Sequence, residues 1–167
     1  MDINWSYKNK SRVFDTKENG GVPYLSFKAL DDTGLAVNGF STRMGGASRG
    51  KFSTMNFSYS RGDAAEDVLE NFTRMAAALG VERDRMVVSH QTHTVNLRRV
   101  TQEDAGKGVV RERDYRDIDG LITDVPGLTL VTFYADCVPL YLLDPVNRAI
   151  GLSHSGWRGT VKRMGQV

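Results

Sequence analysis

Apolar side chains at Val68, Leu69, Phe72, Met75, Ala76 and Leu79 recur three and four positions apart, the spacing that lines one face of a helix over residues 63–79. Asp63 and Glu66 resemble a capping box at its start, and Gly80 stands where a helix ends. Strand-like segments lie on both sides of this helix. Residues 23–27 and 35–40 precede it, the second alternating well, and a glycine-rich loop follows them. After it come a short apolar strand over 86–89 and a period-two stretch that sets Gln91, His93, Val95 and Leu97 on one side. Residues 101–117 are polar and charged and read as an exposed excursion. The apolar chain resumes at 118–123, turns at Val125-Pro126-Gly127, and continues as buried strands over 128–133 and 139–143. Asp144-Pro145-Val146-Asn147 is a turn into 149–153, which leaves His154 just past a strand end. One helix between early strands and a strand-rich second half favours an α+β fold of mixed α/β layers over a bundle.

No repeat or low-complexity tract divides the chain, so residues 1–167 read as one domain. Hydrophobic residues make up 40% and charged ones 25%, enough apolar content to bury a core. Twenty-two basic against 20 acidic side chains leave a net charge of +2, no footprint for nucleic acid or an anionic membrane. Small molecules or proteins are the expected partners. The lone Cys137 excludes an intrachain disulfide and favours a reducing compartment. The start, Met1-Asp2-Ile3-Asn4-Trp5, has no basic and apolar leader pattern, and no apolar run approaches the roughly 18 residues that span a bilayer. The chain therefore reads as cytoplasmic.

Three settings hold residue types suited to a borderline metal: Gln91-Thr92-His93, Ala135-Asp136-Cys137-Val138-Pro139 and His154-Ser155-Gly156-Trp157-Arg158-Gly159. A thiolate and two imidazoles satisfy three of zinc's four tetrahedral positions and leave one open, the arrangement of catalytic sites. Each residue also has a plainer role open to it. A buried cysteine is commonly a small apolar filler, and a strand-end histidine is commonly just hydrogen-bonded. His90 faces away from His93 in an extended chain and reads as structural or as support for a ligand. Asp136 could orient a ligand, act as a base or cap a turn. Arg43 offers a planar fork for phosphate beside Gly45-Gly46, although such glycine pairs mostly mark turns and no Walker lysine accompanies them. Arg158 beside Trp157 reads as support for His154.

Four motifs in order span residues 41–160: Ser41-Thr42-Arg43-Met44-Gly45-Gly46-Ala47-Ser48-Arg49-Gly50 with Asn56; Gln91-Thr92-His93; Asp119-Gly120-Leu121-Ile122-Thr123; and Ala135-Asp136-Cys137-Val138-Pro139 leading to the His154 segment. On these the chain closely resembles the laccase-domain family once called multicopper polyphenol oxidases and now regarded as zinc-dependent purine nucleoside phosphorylases with adenosine deaminase activity. The resemblance implies His93, Cys137 and His154 as metal ligands, Arg43 in substrate binding, and phosphate with adenosine, inosine, guanosine or methylthioadenosine as substrates. Ser155 replaces the family's usual Ala and Thr94 its common Gly. The usual zinc deaminase pattern of His-x-Glu with Pro-Cys-x-x-Cys is absent, so deamination rests on the resemblance.

A copper-dependent polyphenol oxidase is the rival enzyme, since two histidines and a cysteine with an axial Met, here Met164, also make a blue-copper site. Three histidines in the sequence are too few for several copper centres. A non-catalytic metal-binding module is the other alternative. Family members continue beyond the Trp-Arg-Gly segment, whereas this chain stops at Val167, where residues 160–167 begin like a helix with Val161, Met164 and Val167 at spacing three. The expectation is a domain without its C-terminal segment, apolar surface left exposed, and the remaining piece as a separate partner chain or lost.

Overall fold

The apolar runs pair into three sheets in a computed structural model that describes residues 12–167; the reading of residues 1–5 as leaderless lies outside them. β1 (Phe14–Asn19) and β2 (Val22–Phe27) form a hairpin across Gly20 and Gly21, both at positive φ as a two-residue turn requires. β1 is a strand that the polar sequence there does not announce. β3 (Phe40–Ser41) adds to β2, so the expected strand over 35–40 retains only Phe40. The reason lies in α1 (Lys28–Asp31) and in Asn38, whose side chain accepts from the Phe27 amide at 2.6 Å and donates to Asp31. Asn38 takes the hydrogen bond that a ladder partner would have made, and Val37 is left outside the sheet, 63% exposed.

α2 (Ala65–Leu79) buries Val68, Phe72, Met75 and Ala76 as the spacing predicts, and ends at Gly80 in the left-handed region with φ 70°. Its start differs from the expected capping box. Ala64 is the cap, without a side-chain bond, while Asp63 accepts from Ser48 and Asn56 of the preceding loop. The carboxylate is engaged by tertiary donors. α2 lays Val68, Phe72 and Ala76 on β4 (Met86–Val88), which pairs in parallel with β7 (Thr129–Val131).

The sheet that matters for the site has four strands. β5 (Leu97–Arg99) runs parallel to β6 (Gly120–Thr123), β9 (Ala149–Ser155) runs antiparallel to β6, and β8 (Val138–Asp144) closes the other edge antiparallel to β9. Val87, Val100, Leu121, Leu130 and Leu152 are buried between this sheet and the β4–β7 pair. The fold class is mixed α/β, as expected. Residues 101–117 are only in part the exposed excursion the sequence suggests: 101–103, 110–114, 116 and 117 are exposed, but Asp104, Lys107, Val109 and Tyr115 are buried. Lys107 Nζ donates to Asp104 and Asp114, and the Tyr115 hydroxyl donates to the Val88 carbonyl, so paired charges let a polar segment pack inward.

α3 (Trp157–Val161) begins three residues before the expected 160 and ends by Arg163, which sits at φ 63°. Met164 is 2% exposed and Val161 75%, so these two residues do not share one apolar face as their spacing implied. Among the described residues, no helix is long and apolar enough to cross a membrane.

Candidate metal centre

The β8–β9 register sets one side of the site. Val138 faces Ser155 and Pro139 faces His154, so Cys137, in the bend just ahead of β8, comes level with the end of β9. His154 lies inside β9 and not past its end; its amide donates to the Asp119 carbonyl at 2.7 Å, which extends the ladder by that residue. Gly156 follows with no side chain, and space requires it. A Cβ there would fall 2.8 Å from His93 Cδ2 and 3.0 Å from Cys137 Sγ.

His93 arrives by another route than the period-two reading. Residues 92–94 turn around the Asp119 carboxylate, which accepts from the amides of Thr92 at 3.1 Å, His93 at 3.0 Å and Thr94 at 2.8 Å, and from the Thr94 hydroxyl at 2.8 Å. An anion that gathers successive amides bends the backbone about itself, and His93 takes φ 65° in consequence. It therefore does not point with Val95 and Leu97 along a strand; β5 starts only at Leu97. The left-handed conformation of a non-glycine residue costs on the order of 1 kcal/mol, offset here by the carboxylate's hydrogen bonds.

His93, Cys137 and His154 converge, their candidate ligand atoms all within 4.8 Å of one another. Cys137 Sγ lies 3.9 Å from His93 Nε2, and the two imidazoles meet edge to face with centroids 4.8 Å apart. Tetrahedral zinc bonds imply about 3.4 Å between two nitrogens and about 3.6 Å between nitrogen and sulfur, so the trio stands slightly wider than a filled site. His154 Nδ1 is 2.9 Å from Asp119 Oδ1, which leaves Nε2 for a metal. The donor set, the missing Cβ at Gly156 and this second ring nitrogen fit a metal ion. His93 is exposed and His154 buried, so the cluster is open on the His93 side.

Two pKa shifts describe the electrostatics. Burial drives the Asp119 carboxyl up, but the Thr94 amide and hydroxyl, the Thr92 amide and His154 together outweigh it and hold the carboxyl below the usual carboxylate range. It is an acceptor. Desolvation first, and then the Asp136 carboxylate with Oδ1 3.6 Å from Sγ, push the Cys137 thiol up. A bound dication reverses that preference by stabilising the thiolate.

The other expected residues fare differently. Asp136 lies exposed beside Cys137. Arg43 Nη2 donates to the Ser53 carbonyl at 3.1 Å and the Lys51 carbonyl at 3.4 Å, and among the described residues none of its bonds reaches the trio. The neighbouring glycines serve packing, since a Cβ at Gly45 would meet Gly21 O at 2.4 Å and one at Gly46 would meet Thr54 O at 2.0 Å. Arg158 does not support His154. It is exposed over Trp157, and Asp119 performs that role instead. His90 accepts from the Asp117 amide and stays out of the trio, as read. Asp119 stands in the Asp119-Gly120-Leu121-Ile122-Thr123 motif, where the sequence alone assigns it no role. The signal was present, because a lone acidic residue between Ile118 and Gly120-Leu121-Ile122 sits where the pattern demands burial.

Known proteins are similar to this chain in sequence and in fold. The family described as Multi-copper polyphenol oxidoreductase laccase matches residues 37–167. The chain is similar to Purine nucleoside phosphorylase YlmD of Geobacillus stearothermophilus, 39% identical over 129 residues that cover 75% of this chain and 46% of that protein. It is similar to Adenosine deaminase RL5 of an unknown prokaryotic organism, 33% identical over 133 residues, 78% of this chain and 51% of that one. The crystal structure of the Bacillus licheniformis hypothetical protein YfiH superposes with a TM-score of 0.79 at 30% identity, covering 90% of this chain and 54% of that one. The chain thus spans about half the length of these relatives. Since the match runs through the Arg43 loop, the Asp119 strand and all three residues of the trio, the chain belongs to the multi-copper polyphenol oxidoreductase laccase family.

Proposed function

We propose that this chain carries the metal-holding part of a purine nucleoside enzyme that cleaves adenosine, inosine, guanosine or methylthioadenosine with phosphate and hydrolytically deaminates adenosine, with zinc as its metal. The observation that carries the proposal is the convergence of His93, Cys137 and His154, a three-ligand set open on one side. Relatives named as a purine nucleoside phosphorylase and as an adenosine deaminase support the two activities. When bound, zinc supplies a Lewis acid that polarises oxygen and brings the pKa of water down to about 7.

The chain's own groups then have distinct tasks. Asp119 keeps the proton of His154 on Nδ1, so Nε2 faces the trio bare. Asp136, exposed next to Cys137, offers a carboxylate that accepts and returns a proton at the solvent edge. Arg43, tethered through Nη2 to two loop carbonyls, leaves the rest of its guanidinium to meet phosphate oxygens. Copper oxidase chemistry is the weaker reading. The sequence holds three histidines, and Met164, the candidate axial ligand, is buried against Gly159.

The test is chromatography of products from adenosine, with and without phosphate, using protein shown by elemental analysis to hold one zinc. Adenine formed only when phosphate is present, and inosine formed in both conditions, are the expected products; neither appearing would sink the proposal. Cys137→Ala should abolish tight zinc binding and both reactions while the far-ultraviolet circular dichroism stays native. Retained activity would refute the ligand assignment.

A further inference from the structure

We infer that Asp119 is a positioning residue that holds the two imidazoles of the trio as one preformed pair. The functional consequence rests on the metal reading above, but the geometry stands on its own. Asp119 is fully buried, and both of its carboxylate oxygens are engaged. Oδ2 accepts from the Thr92 amide and from the Thr94 amide and hydroxyl. Oδ1 accepts from the His93 amide at 3.0 Å and lies 2.9 Å from His154 Nδ1.

The sharing of Oδ1 is what couples the two ligands. The backbone of one imidazole residue and the ring of the other are bound to a single atom, so the carboxylate cannot shift without moving both. Its backbone adds a further tie, because the Asp119 carbonyl accepts from the His154 amide at 2.7 Å. A carboxylate only accepts, so His154 Nδ1 must donate, and in the neutral ring this puts the lone pair on Nε2, the nitrogen left for the His93–Cys137 side. Charge points the same way. A buried carboxylate and a cysteine thiolate together carry two negative charges, the complement of one divalent cation. Thr94 adds a hydroxyl donor to this carboxylate besides its amide.

A residue that merely held the 92–94 turn would leave the tautomer of His154 and the electronic environment of a bound ion unaffected, and these are the readouts. Long-range nitrogen–proton correlation spectra of the wild-type chain without metal should show His154 as the Nδ1–H tautomer; an Nε2–H ring would overturn the inference. Titration with Zn2+ alone against a competing chelator should show Asp119→Asn, which keeps the residue's size, binding about 10–100-fold more weakly than wild type. Its Co2+ form should have shifted visible bands. Asp124→Asn, which removes the same charge from an exposed carboxylate paired with Arg99, should bind within about twofold of wild type. Wild-type affinity and an unchanged Co2+ spectrum in Asp119→Asn would overturn the positioning role and leave the metal centre standing. Should Asp119→Asn fail to fold, Thr94→Val removes one donor to the carboxylate and should still weaken Zn2+ binding several-fold; no change there, with an Nε2–H ring, overturns the inference. A wild-type chain that binds no Zn2+ but shows the Nδ1–H tautomer would refute the metal reading and support the hold of Asp119 on His154.

Discussion

A single hydrogen at position 156 decides whether there is room for a metal. Because a Cβ on Gly156 would press on both His93 and Cys137, Gly156→Ala should lower Zn2+ affinity at least tenfold with little change in thermal midpoint, as read by chelator competition and calorimetry. Equal affinity would show that the ligands relax around the methyl group. Arg43 admits a sharper division. If its guanidinium meets phosphate, Arg43→Ala should cost phosphorolysis about 10–100-fold and deamination far less, the loss expected for a charge-assisted hydrogen bond. Equal losses in the two reactions would place Arg43 on the nucleoside instead. The convergent trio was legible in the sequence as a candidate ligand set because its residue types are few: one cysteine and three histidines leave little to choose from. Asp119 was harder to read, since its work is done by accepting from backbone amides that no side-chain pattern reveals.

At the level of elements, α2 shows how far periodicity reaches. Its apolar stripe is the face that packs on β4, so Phe72→Ala should cost about 3–5 kcal/mol in urea unfolding. Val37→Ala, in the exposed stretch wrongly read as strand, should fall within about 0.5 kcal/mol of zero. A loss at Phe72 below about 1 kcal/mol would mean that the α2–β4 contact is not a core contact. β1 and residues 91–96 were misread for one reason. Period-two patterns report burial, and β1 is polar because it lies largely in the open, whereas 91–96 alternates yet is bent by a carboxylate 25 residues or more away in sequence.

Across the whole molecule, the pairing of Lys107 with Asp104 and Asp114 folds a charged segment against the core. Burial drives the Asp104 carboxyl up, but Lys107, the Thr101 amide and Arg98 outweigh it, so its folded pKa lies below the unfolded value. A depressed carboxylate stabilises the fold above its unfolded pKa, near 4, and loses that contribution as pH falls through the folded value. Stability should therefore drop steeply below about pH 4. Asp104→Asn should cost about 3–5 kcal/mol at pH 7, by leaving Lys107 and Arg98 short of a partner, and should flatten that acid limb. A wild-type-like acid limb in the variant, followed by chemical denaturation across pH, would refute this account.

What the sequence determined alone is what depends on local periodicity and on scarce residue types: the central helix and its glycine stop, a layered mixed α/β fold, and the three residues able to bind a borderline metal. Tertiary structure decided what depends on partners distant in the chain. The strand order β5-β6-β9-β8 and the β8–β9 register bring Cys137 level with His154, and the carboxylate of Asp119 carries His93 to them. The physical reason is that hydrogen-bond acceptors buried in a sheet choose donors by proximity in space, which the order of residues along a chain does not specify.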